Sequence, residues 1–397
     1  MHLPGDSLSL PDPALMKNIL FILLLTGSSA FGANTDSLLR VTASGAADAE
    51  KLHAYAQLSQ DALMSGKYRE ALEYSNHQLE LAKKNGLQKE TGNAYYNLSL
   101  IEYQTGNLEE ALKHALGALK ATNDTGDKKS RISCLNLCGN LYSQLNDRPE
   151  ALKSYIDALK LAEELGDNLR MATLLANIAN VYRQANDLDK SLAYDLKALA
   201  IHKKTNNKEG EARVLDDIGQ IYTASGSYAK AAEYLSEALS ILNETGDRYG
   251  TAEVQLHTGQ LYLKQNRSSE AFGYFRKALG SASQLGSPDL QQECYRGLSS
   301  ADSAMGKTKE ARLYASRYRQ IRDSLQVEED KRMQEEKDAQ NAFEQKEKQI
   351  KLLQLEKMKQ ETALKEQQKR SILFTATAVG LVLLLAVVVL LVARNRR

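Results

Sequence analysis

Proline is scarce in this sequence. Five occur in 397 residues, and three of them precede residue 16. That scarcity excludes collagen-like and proline-rich designs and most loop-rich all-β folds, and it leaves room for long helices. Tryptophan is absent, while tyrosine outnumbers phenylalanine 19 to 6. The three cysteines are odd in number and too few for a disulfide framework. An excess of one charge is also missing: 51 basic residues meet 50 acidic ones. Nucleic acid binding needs clustered positive charge, so nothing here argues for it.

Two apolar runs bracket the chain. The first, Asn18 to Leu25, follows Met16-Lys17 and leads to the small residues Ala30 and Gly32. A short basic start, a short apolar core and a small-residue end predict a signal peptide over 16–32, followed by a linker over 33–48. Residues 1–15 lack any Lys or Arg. They read as an upstream extension before a start at Met16, or alternatively as a long n-region. The second run, Ser371 to Ala393, carries no charge. Its length predicts a transmembrane helix over 371–393, since about 20 apolar residues span a bilayer, and 394–397 would be a short basic tail.

Between these runs lies an internal repeat. Gly66, Gly106, Asn146, Asn186, Gly226, Asn266 and Gly306 follow one another at intervals of 40 residues. A small residue stands seven before each: Ser59, Ser99, Gly139, Ala179, Gly219, Gly259 and Ser299. Another stands five after, from Ala71 to Ala311, with Ser191 in the fourth unit. Tyr142, Tyr182, Tyr222 and Tyr262 share one repeat position. Small residues let two helices cross closely, and Gly or Asn can take the left-handed conformation that ends a helix. Each unit therefore reads as a helical hairpin, here with helices A and B. One hairpin cannot bury its apolar face alone, so the units must stack into a solenoid. Cys134, Cys138 and Cys294 fall on packing positions and read as core residues.

This pattern resembles the tetratricopeptide repeat (TPR) family, with Leu175, Ala179, Tyr182, Ser191 and Ala198 in one unit and Gly259, Tyr262, Ala271, Phe275 and Ala278 in another. The departures are a 40-residue unit in place of 34 and no proline ending helix B. The resemblance implies an all-α right-handed TPR superhelix of seven hairpins over 49–320, with the A helices lining a concave face. On that face Asn97, Asn177, Asp217 and His257 would form one row. Asn140, Asn180, Gln220 and Gln260 would form another, with Asn136 and Arg183 beside them. Amides donate and accept, so such rows can pair with the backbone of a protein or peptide ligand. Asparagine is also a poor helix former, and its recurrence in mid-helix needs a cause.

No catalytic constellation emerges. The histidines at 2, 53, 77, 114, 202 and 257 are scattered, without zinc-binding spacing. Gly306-Lys307-Thr308 mimics a phosphate loop, but residue 301 is alanine where the first glycine belongs. The chain reads as no enzyme, with no cofactor or metal.

Residues 321–370 lose the repeat, and about half of them from 326 onward are charged, without Gly or Pro. This predicts a long charged helix. A patchy heptad seam through Ala339, Phe343, Ile350, Leu353 and Leu364 suggests a coiled coil and a possible homodimer. The whole order resembles the sensory half of bacterial TPR-containing membrane signal transducers, with no output domain after the span. That resemblance implies a single-pass inner-membrane protein with its array outside the cytoplasm. It would be either a scaffold or the sensory part of a split receptor coupled to a separate kinase or transcription regulator.

Overall fold

The computed structural model describes residues 28–395, and every regular element among them is an α-helix. The upstream extension and the apolar core of the expected signal segment lie outside the described residues. The expected linker is helical as far as Ala43, in α1 (Ser28–Ala43), which packs on α2. Hairpins then follow: α2 (Asp48–Met64) with α3 (Tyr68–Lys84), α4 (Gln88–Thr105) with α5 (Leu108–Thr125), and α6 (Lys128–Gln144) with α7 (Arg148–Leu165). Next come α8 (Asn168–Gln184) with α9 (Leu188–Thr205), α10 (Lys208–Ala224) with α11 (Tyr228–Thr245), and α12 (Arg248–Lys264) with α13 (Ser268–Gln284). Helix α14 (Pro288–Ala304) precedes the last helix, α15 (Thr308–Asn395). Two compact units divide at Met333 and Gln334.

The local cause of this regularity is a turn every 20 residues. Positive φ occurs at 66, 86, 106 and so on to 306, always at Gly or Asn. At Asn146, with φ of 62°, the side chain tolerates a conformation that a β-branched residue resists. Six of these residues are followed directly by an N-cap whose side chain accepts from the new helix: Asp127, Asp147, Asp167, Asp187, Asn207 and Asp247. Each such cap is worth about 1 kcal/mol.

Within each hairpin, the small residue of helix A faces the residue sixteen positions later on helix B. Where A offers glycine, B offers bulk. A Cβ on Gly139 would stand 2.5 Å from the Tyr155 ring, one on Gly219 2.6 Å from Leu235, and one on Gly259 2.6 Å from Phe275. Where A offers serine, B is small and the hydroxyl finds the backbone. Ser99 Oγ donates to the Ala111 carbonyl at 2.7 Å, and Ser59 Oγ lies 2.6 Å from Ser75 Oγ. The fourth hairpin breaks this rule, because Ala179 has Asp195 at that place.

Tyrosines close the outer seam of three hairpins. Tyr182 stacks on Tyr194, Tyr222 on Tyr234 and Tyr262 on Tyr274, with centroids 5.3–5.6 Å apart. The three cysteines are free and buried, and burial pushes each thiol up to about 12.

Two expectations are corrected. Among the described residues no helix is long and apolar enough to cross a membrane. The apolar run is the end of the 88-residue α15, whose earlier part is densely charged. The transmembrane helix at 371–393 is therefore not supported. Nor is the single-pass inner-membrane location that rested on it. The charged stretch before it is helical.

Candidate binding groove

The A helices form the inner side of the stack. Helix α10 touches α12, and α12 touches α14, whereas no two B helices approach to a comparable extent. In a curved stack, helices of the inner row crowd together and those of the outer row spread. The polar residues of α6, α8, α10 and α12 described next lie on this A-helix row.

Those stripes are joined from repeat to repeat. Asn177 Nδ2 donates to Asn136 Oδ1 at 2.8 Å. Arg183 donates through Nη1 to Gln220 Oε1 at 3.0 Å and through Nη2 to Asn180 Oδ1 at 3.1 Å. The same Nη2 lies 3.2 Å from Asp217 Oδ1. Gln220 Nε2 donates to Asp216 Oδ2 at 2.9 Å, and His257 Nδ1 meets that oxygen at 2.8 Å. The two 41-residue links, Asn136 to Asn177 and Asp216 to His257, repeat one geometry: a helix A position bonded to the next position of the following unit. A ladder of polar contacts thus crosses four hairpins.

Other expected residues stand apart from it. Asn140 Oδ1 accepts from the Tyr155 hydroxyl at 2.7 Å. The absent side chain at Gly139 lets that ring cross between the helices. Asn97 is half-buried and is not hydrogen-bonded to the ladder. Gln260 lines a cavity of about 290 Å³ together with Tyr249, Glu253, Leu256, His257 and Glu293. Leucine below and carboxylates at the rim suit a side chain with an apolar stem and a hydrogen-bonding or cationic end.

The electrostatics concentrate in the fourth to sixth hairpins. His257 keeps about a fifth of its side chain exposed. Burial opposes its charge, but Asp216, at hydrogen-bond distance, outweighs burial together with Glu253 and Asp217. The imidazole is held above its usual value. Asp217 is raised by burial, against the pull of Arg183. Asp195 is 2% exposed, and its Oδ1 has no hydrogen-bond partner. Burial, then the nearby Asp217 charge, push it up to about 8, with Arg183 opposing. Its significance escapes a reading of helix A alone, because it reaches the ladder from helix B. The signal in the sequence is its departure from the repeat, where the other units carry Ser75, Ala115, Tyr155, Leu235, Phe275 and Ala315.

Among the described residues, one group has ligand atoms close enough for a metal ion: Glu102, Glu110 and His114, in the second hairpin.

A tetratricopeptide repeat family model matches residues 90–164, 170–244 and 224–284. No curated protein matches the chain. Solved structures do. The apo form of RapI is 13% identical and superposes with a TM-score of 0.60, covering 70% of this chain and 99% of its own. The apo form of the quorum sensor NprR from B. thuringiensis is 16% identical, with a TM-score of 0.58 over 77% of this chain and 86% of its own. A Rap protein in complex with competence and sporulation factor is 15% identical, with a TM-score of 0.54 over 79% and 85%. At such identities the likeness is one of fold. The matched family model identifies residues 90–164 and 170–284 of this chain as tetratricopeptide repeats.

Proposed function

We propose that this chain is a non-enzymatic interaction module that holds an extended segment of a protein or peptide partner against α6, α8, α10 and α12. The observation that carries the reading is the ladder from Asn136 to His257. The bonds within it use Asn177 Nδ2 and Asn136 Oδ1, so Asn136 Nδ2 and Asn177 Oδ1 can pair with a ligand backbone. A preset row of amides loses little side-chain freedom on binding, which preserves affinity. The Rap complex with competence and sporulation factor supports the architecture as one that can hold a partner. The heptad seam of 321–370 supports self-association as a further property, to be read from the sedimentation of the full chain.

The test is selection of peptides from a phage-displayed random library on the full chain. Selected peptides should lose at least tenfold in affinity on Asn177→Ala or Gln220→Ala. They should keep it on Lys160→Ala, on the exposed face of α7. Failure to select any peptide, or equal affinity for all variants, would overturn the reading.

A further inference from the structure

The second hairpin differs from hairpins four to six at one spot. Where hairpins four to six place the stacked pairs Tyr182–Tyr194, Tyr222–Tyr234 and Tyr262–Tyr274, the equivalent residues here are Glu102 and His114. The structure keeps the cross-helix contact but changes its chemistry. His114 Nδ1 and Glu102 Oε2 are 2.7 Å apart. Their side chains are 19% and 13% exposed, so the pair is largely withdrawn from water. One helical turn before His114 on α5 stands Glu110. One ligand atom from each of these three residues lies within 4.8 Å of the others.

We propose that Glu102, Glu110 and His114 bind a divalent transition cation of the zinc type. An imidazole and two carboxylates are ligands that Zn²⁺ accepts, and three protein ligands leave a fourth position for water. The i, i+4 pair Glu110–His114 presents two donors on one face of α5, and Glu102 supplies the third from α4. Bonds of about 2.0–2.2 Å in a tetrahedron set the donors about 3.3–3.5 Å apart. Glu102 and His114 must therefore open by roughly 0.6 Å while Glu110 swings inward. Glu110 is free to do so: its side chain is 47% exposed, held only by Lys113 Nζ at 2.8 Å on a surface that is itself open to water. Such a surface pair contributes little in water, so its loss is a small opposing cost. The ion would tie helices A and B of this hairpin where rings tie them elsewhere. The site is independent of the groove reading.

The repeat supplies its own control. Glu102→Tyr/His114→Tyr installs the residue pair that three other hairpins use, so the variant should fold. Glu102→Gln is a second variant, which retains a hydrogen-bond acceptor for His114 and removes a charged ligand. Zinc binding to the tag-free full chain is measured by competition with a chromophoric chelator, and thermal unfolding is followed with and without Zn²⁺. The expected result is one zinc per wild-type chain, at least tenfold weaker binding in both variants, and a zinc-dependent rise in unfolding temperature confined to the wild type. Equal zinc uptake by the wild type and the double variant, or none by the wild type, would overturn the proposal.

Discussion

Asp195 offers the most exacting test of the electrostatics beneath the groove. It sits on α9, 2% exposed, with Oδ1 unpartnered, close to Asp217 and Arg183. Its carboxyl is pushed up to about 8, against the unfolded value of roughly 4. The folded chain thus binds this proton more tightly than the unfolded chain does. Stability from this group is intact below about pH 4 and is lost as pH rises, at about 1.4 kcal/mol per pH unit, until about pH 8. The full loss approaches roughly 6 kcal/mol as an upper bound. Asp195→Asn keeps the shape and removes the titration. Against the wild type, the variant should gain about 3 kcal/mol in relative stability between pH 5.5 and pH 8.5. The assay is urea unfolding of both proteins at several pH values, followed by helical circular dichroism. The comparison of two proteins cancels the titrating groups that do not interact with Asp195. Parallel pH profiles, or a variant that loses ground as pH rises, would refute the reasoning and imply a paired, ionised Asp195.

Other predictions follow from single contacts. Gly259→Ala drives a Cβ to 2.6 Å from the fully buried Phe275 ring and should destabilise the chain by about 1–3 kcal/mol. Gly273→Ala has nothing within 4 Å of its new Cβ and should stabilise α13 by roughly 0.5–1 kcal/mol; chemical denaturation measures both. His257 should titrate above an ordinary histidine by imidazole NMR, and Asp216→Asn should bring that value down, because that carboxylate is the largest of the charges that oppose burial there. Its stabilising effect is present below about pH 6.5 and disappears as pH passes the raised value. Arg183→Ala should cost more stability at pH 8 than at pH 5, since its removal leaves Asp217 and Asp195 without their cation when they are ionised.

The periodic features were legible in the sequence because each has a local cause. A left-handed Gly or Asn every 20 positions delimits the helices, and at six of these turns a capping Asp or Asn follows directly. The groove residues were legible as rows because they recur at one helix position, but their partners were not. Asn140 bonds to a tyrosine on the opposite helix rather than to its row, and only the close crossing at Gly139 permits that. Asp195 and the Glu102–Glu110–His114 group join two helices at intervals that match no linear motif. They emerge when each unit is compared with its neighbours position by position. The apolar run after Ser371 continues the charged helix as the end of α15; its uncharged length suggests a membrane span, but among the described residues no helix is long and apolar enough to cross a membrane.

The central claim is that ligand occupies the A-helix side of the stack. Hydrogen exchange of the full chain, with and without a phage-selected peptide, tests it most directly. The account predicts slowed exchange in 168–184, 208–224 and 248–264, with 188–205 and 228–245 unchanged. Protection confined to the B helices, or to residues 334–370, would contradict it.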